Sequence, residues 1–212
     1  MLTMTTKFFT GDDNEVSYEH ANSLTSYKRV RFLAGKKKMM ERISDGKVFS
    51  TYYYKSAEET FEEILEQFSG KYVTIIESIK YGDKTFEKNY QYNESGGIER
   101  KFNYLMDDAD EYLAVEKIDL VSGLPISQET KKHYFEPSIF PDREVFRASY
   151  LSDGSLELIE YDYYGFQSKK WFMDDGLPGE SDVATLRGIT GLTESEMAYF
   201  LTSDLTFGLV SD

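Results

Sequence analysis

The sequence predicts a mainly β chain: an antiparallel meander sheet or half-barrel, one mid-chain helix over about 56–69 and a small helical pair at the C-terminus. Three observations predict it. Long stretches alternate apolar and polar side chains, short connectors carry glycine, and two regions show helical spacing behind capping boxes.

The alternation is clearest in the middle of the chain. Over 84–92, Phe86, Tyr90 and Tyr92 share one face while Thr85, Glu87, Asn89 and Gln91 share the other. The next segment repeats it, with Ile98, Phe102, Tyr104 and Met106 set against Glu99, Lys101 and Asn103. Successive side chains of a strand point to opposite faces, so a half-buried strand needs this pattern. Further strands are predicted over about 27–34, 37–43, 47–54, 71–80, 112–121, 128–135, 144–151, 156–163 and 166–173. Of these, Tyr72–Ile79 is the most apolar and reads as central.

The connectors Ser44-Asp-Gly-Lys47, Tyr81-Gly-Asp-Lys84, Glu94-Ser-Gly-Gly97 and Ser152-Asp-Gly-Ser155 all offer residues that tolerate positive φ, which tight hairpins require. Ser56 and Glu59 form a capping box, and Ala57, Phe61, Ile64, Leu65 and Phe68 make one apolar stripe ending at Gly70. Thr193 and Glu196 form a second box, with Leu192 placed to staple onto Met197; a shorter helix is expected over about 182–188. The organisation expected is a β domain over 1–176 with the helix inserted, and a helical tail over 177–212 packed on it.

Composition narrows the function classes. There are no cysteines, which excludes disulfides, thiolate metal sites and cysteine nucleophiles. Lys and Arg number 24 against 38 Asp and Glu, a net charge of −14 that repels nucleic acid and anionic lipid and attracts basic partners. The N-terminal residues lack the apolar run of about 7–15 that a signal peptide needs, and no stretch of about 18 apolar residues occurs, so a cytoplasmic chain without membrane contact is expected. The 17 tyrosines and 15 phenylalanines place the chain among folded proteins.

Gly154, Gly165 and Gly176 are spaced by eleven residues, and Gly35 and Gly46 repeat the interval. Around the first set, Tyr150 precedes Gly154 by four, and Tyr161 and Trp171 come before the next glycines, one strand and one turn per unit. Over 148–176 this resembles the MORN-repeat-variant proteins, β-hairpin repeats that include bacterial antitoxins. That resemblance implies a repeat sheet with an antitoxin or immunity role. The paired glycines of those repeats are missing and the helix at 56–69 interrupts the array; an ordinary meander with glycine turns accounts for the same residues.

Signatures of chemistry are sparse. His20 and His133 have no metal-ligand spacing, and the Asp107-Asp108-Ala109-Asp110 run lacks the glycine of a calcium loop. Glu160 and Asp162 are two apart on a strand, a spacing compatible with paired carboxylates but common on any exposed sheet face. No phosphate loop, dinucleotide fingerprint or nucleophile elbow occurs, and no cofactor is expected. Lys36–Lys38, a short basic run, reads as protection of an exposed edge.

The residues expected to touch a partner are therefore Tyr52 and Tyr54, the acidic Asp107, Asp108 and Asp110, the aromatic Tyr161, Tyr163 and Trp171, and the acidic Asp174 and Asp175. Two functions fit. One is an acidic partner-binding protein, such as an immunity protein, antitoxin or inhibitor of a basic or nucleic-acid-binding enzyme. The other is a lipocalin-like carrier of a small apolar ligand, with Phe and Tyr lining a cavity. A carboxylate hydrolase or lyase has no specific support.

Overall fold

A computed structural model gives the fold and describes residues 3–108, 111–135, 144–163, 167–172, 184, 187–188 and 190–208. The expected mainly β chain is what forms. Its strands are β1 (Met4–Phe9), β2 (Glu15–Val16), β3 (Ser26–Leu33), β4 (Lys36–Ser44), β5 (Lys47–Tyr54), β6 (Val73–Tyr81), β7 (Lys84–Tyr92), β8 (Ile98–Met106), β9 (Tyr112–Ile118), β10 (Lys131–Phe135), β11 (Glu144–Tyr150), β12 (Leu156–Tyr163) and β13 (Gln167–Phe172). The helices are α1 (Tyr18–Ser23), α2 (Phe61–Gln67) and α3 (Glu194–Phe200). The sheet is open, with strand order β13 through β3 in sequence, then β1 and β2.

Four features depart from the sequence reading. The segment before Ser26 forms β1, β2 and α1, which alternation did not reveal because Met4–Phe9 holds no buried residue. The β5–β6 pair is parallel, joining Tyr52–Tyr54 to Thr74–Ile76, so the meander is interrupted by one crossover, which α2 supplies. The mid-chain helix starts at Phe61, capped by Thr60 and Glu63, and not by Ser56 and Glu59. Ser56 still binds Glu59, through its backbone N–H at 2.8 Å, but that carboxylate also takes Tyr53 and Lys38, so the residues between turn without joining the helix. Finally, β4 lies between β3 and β5, so Lys36–Lys38 guard no edge. The expected helix at 182–188 lies largely outside the described residues.

Contacts divide the chain into two compact units, Met1–Ser78 with Lys88–Lys101 and Ile79–Glu87 with Phe102–Asp212. In the first, α2 lays its apolar stripe on the sheet: buried Ile64 packs with Met39, Tyr53, Val73 and Ile75, flanked by Phe61, Leu65 and Phe68. Asp45 (φ 50) and Gly46 (φ 71) supply the two positive-φ positions that the tight β4–β5 turn needs. In the second unit, α3 and its N-terminal flank bring Leu192, Met197 and Phe200 onto Phe146, Ala148, Tyr150, Leu156 and Ile159. A further cluster there joins Phe86, Leu105, Ala114 and Leu205.

Candidate functional site

The second unit holds the most unusual chemistry. Lys132 on β10 is fully buried. Its β-sheet neighbours are Ala114 on β9 and Ala148 on β11, both fully buried, and two such small side chains leave room for a lysine stem. The ammonium donates to the carbonyls of Tyr199 (2.7 Å) and Asp204 (2.6 Å) and lies 3.6 Å from the centre of the Tyr199 ring. Tyr150 donates its hydroxyl to the Phe200 carbonyl at 3.1 Å. Carbonyls at a helix C-terminus lack intrahelical donors and carry partial negative charge, so Lys132 and Tyr150 cap α3 from below.

Burial pushes the Lys132 ammonium down to about 7, against the opposing pull of the Asp204 and Glu116 charges. Glu116, also buried, is pushed up by burial, partly countered by a 2.7 Å hydrogen bond from the Asn103 amide. The Tyr199 hydroxyl and the Asn103 carbonyl oxygen are buried without a partner. Beside this cluster opens a cavity of about 600 Å³ whose lining includes Leu105, Leu113, Phe135, Leu192, Phe207 and His133.

Charge is divided between the units. The first carries 14 Lys and Arg against 14 Asp and Glu, and the second 10 against 24, so the whole −14 belongs to the second. The same unit exposes an aliphatic hairpin tip, with Leu120 at 45%, Val121 at 96% and Leu124 at 65% of full exposure. That tip is held in shape by Asp119, whose Oδ1 accepts from the backbone N–H groups of Val121 (3.2 Å) and Ser122 (2.7 Å).

The residues expected to touch a partner are scattered. Tyr52 and Tyr54 are half-buried on the face opposite buried Tyr53; Tyr52 lies 5.4 Å from the Arg42 guanidinium, and the Tyr54 carbonyl accepts from Lys38. Asp107 closes the β8–β9 connection by accepting from the Glu111 backbone at 2.9 Å, and Asp108 is exposed beside it. Tyr161, Tyr163 and Trp171 belong to β12 and β13, opposite Lys169, Gln167 and Ile159. Asp110, Asp174 and Asp175 lie outside the described residues. Glu160 is engaged by Arg147 at 2.7 Å, and His133 by Glu144. Lys132 went unread, although its even-numbered register with Tyr134 was the signal that it faces inward.

Among the described residues no cluster of His, Asp or Glu is placed to hold a metal ion, and no helix is long and apolar enough to cross a membrane. No family model matches the chain, and neither the curated proteins nor the solved structures contain a match to it.

Proposed function

We propose that this chain is an acidic partner-binding protein, an immunity protein, antitoxin or other inhibitor, whose second unit captures a basic protein. The observation that carries the reading is the partition of charge: a unit with 24 acids against 10 bases stands in one chain with a unit balanced at 14 each. A surplus kept within one unit makes a directed field, which speeds encounter with a basic surface and rejects nucleic acid. The aliphatic tip at Leu120–Leu124 supplies what charge alone lacks, an exposed apolar anchor whose turn Asp119 holds.

The test is capture from native cytoplasmic extract by the full chain, at about 0.05 M and about 0.5 M salt. Reversing Asp107, Asp108 and Glu111 to Lys abolishes capture of the low-salt partner; reversing Asp12, Asp13 and Glu15 in the first unit leaves it intact. Equal loss in both sets, or no partner at low salt, overturns the reading.

The cavity supports a second reading, a carrier of a small apolar molecule, because about 600 Å³ falls in the range of ligand pockets. The sheet is open, so such a ligand would sit beside α3 and not inside a barrel. A stoichiometric apolar compound extracted from purified protein favours this second reading over the first.

A further inference from the structure

The first unit contains a break in its backbone pairing. Strand β5 has eight residues, Lys47 to Tyr54. Toward β4 it is paired along its length, from Ser44↔Lys47 to Met39↔Tyr53. Toward β6 only Tyr52, Tyr53 and Tyr54 have partners, because the crossover through α2 delivers β6 late. From Val48 to the Thr51 N–H, the side of β5 that faces away from β4 therefore has no strand partner, although β5 lies in the interior of the strand order; the ladder to β6 begins at the Thr51 carbonyl. Unpaired N–H and C=O groups on a strand edge are a template for another strand, and proteins blunt such edges with charge or proline. Here the edge is Val-Phe-Ser-Thr, with Val48 at 46% and Phe49 at 59% of full exposure.

The surroundings are shaped for an extended chain. The β4–β5 register skips Phe49, since Arg42 pairs with Ser50 and Ile43 with Val48, and a bulge of this kind re-aims its side chain. Clefts of about 270 Å³ and 230 Å³ both border Phe49, Ser50, Thr51 and Tyr72. The Ser50 hydroxyl is buried there without a hydrogen-bond partner. Of the lining carboxylates, Glu41 is already held by Arg29 and Arg31, while Glu94 and Glu99 stand against the lining cation Lys71, and the rings of Phe49, Tyr52 and Tyr72 stand among them. Acidic groups beside aromatic faces suit Lys or Arg side chains.

We infer that Val48–Thr51 of β5 form a β-augmentation site that accepts an extended basic peptide segment of a partner protein as an added strand. Main-chain hydrogen bonds to the open edge supply the attachment, and the clefts take alternate side chains, which selects for basic ones. None of these residues belongs to the acidic second unit, so this inference stands or falls apart from the proposed function.

Amide hydrogen exchange on the full chain tests it. The probes are acetyl-Lys-Val-Lys-Val-Lys-Val-Lys-amide and the same peptide with Glu for Lys. In the free chain, the Phe49 and Thr51 amides, on the side of β5 away from β4, are expected to exchange roughly tenfold faster than that of Tyr53, which faces β6 inside the ladder. The lysine peptide slows them and the glutamate peptide does not; the double variant Glu94→Lys, Glu99→Lys reverses that preference. Slow exchange in the free chain, or no change with the lysine peptide at millimolar concentration, overturns the inference. Protection that grows with protein concentration alone, with a dimer in sedimentation, also overturns it, because the occupant is then a second copy.

Discussion

The two units handle charge in opposite ways. The first settles its charges pairwise: Arg29 meets the buried Glu41 directly across β3–β4 at 2.8 Å, Lys55 meets Glu77 at 3.1 Å, and Lys38 meets Glu59. The second pairs Arg147 with Glu160 in the same cross-strand manner, yet keeps Lys132 and Glu116 buried, each bonded to neutral groups. Among the described residues, the first unit buries an ion only beside its counter-charges, Glu41 between Arg29 and Arg31. In the acidic unit, one buried cation both caps a helix and offsets part of a large surplus of like charge. Stability should therefore respond to pH through different groups in the two units.

The largest effect is expected in the cores. Phe146→Ala removes a ring packed against Phe200 at 4.8 Å between centroids and against Tyr134 at 5.1 Å, and should cost ~3–5 kcal/mol. Ile64→Ala, at the centre of the first unit, should cost ~2–5 kcal/mol. Urea denaturation measures both. A loss below about 1 kcal/mol for either would mean that its cluster does not hold its unit together.

The next effect separates the units by pH. Unfolded, Lys132 keeps its proton to 10.5; folded, only to about 7. Between those values the unfolded chain binds more protons, so stability rises with pH by up to about 1.4 kcal/mol per pH unit and levels off above the unfolded value. Below the folded value the penalty is constant. Glu116, raised by burial, acts in the opposite sense, losing its contribution as pH climbs above the usual carboxylate range. In Lys132→Met the rise from pH 7 to 10 should flatten.

Glu59 marks the first unit. Burial pushes it up, but hydrogen bonds from Lys38, Tyr53 and Ser56 outweigh that and hold it at about 2. Its stabilisation is complete above 4.5 and lost as pH falls toward 2. Because the carboxylate is partly exposed, about 1–2 kcal/mol is at stake. Glu59→Gln should weaken the acid limb and leave the alkaline one alone, the mirror image of Lys132→Met. Melting temperatures of the three proteins across pH check both, and identical curves would remove the contrast.

Much of this contrast was legible, and the rest hid for physical reasons. Alternation placed the strands β7 and β8 but not their buried faces: Phe86 is buried as expected, yet so is Asn89 on the opposite face of β7, and on β8 Asn103 is buried while Ile98 is exposed. Met4–Phe9 gave no alternation because neither face of β1 is buried. The stripe of α2 was plain, but nothing in Tyr52-Tyr53-Tyr54 says whether its neighbour runs parallel, since pairing direction depends on how a connection is routed. Of the candidate site residues, Tyr52 lines a cleft, while Asp107 serves its own turn. In Lys-Lys-His-Tyr, only the parity of Lys132 with Tyr134 points inward, and the alanines that the fold sets beside it make it interior.

The smallest effect concerns two adjacent capping boxes with the same grammar. Ser56-Ala-Glu-Glu59 and Thr60-Phe-Glu-Glu63 are equally good starts in sequence, and tertiary contacts decide between them. Glu59 is drawn to Tyr53 at 2.6 Å and to Lys38, which fixes it to β4 and β5, so the helix starts at the second box. There the Thr60 hydroxyl accepts from the Glu63 backbone at 3.2 Å, and Glu63 accepts from the Thr60 backbone at 2.9 Å. Thr60→Ala should therefore cost ~1 kcal/mol, as should Thr193→Ala at the matching box of α3. Ser56→Ala removes only one of several groups on a carboxylate that keeps its other partners, and should cost less than ~0.5 kcal/mol. If urea midpoints show Ser56→Ala to be the costlier change in the first unit, the helix begins a turn earlier and Glu59 is its cap, not its anchor to the sheet.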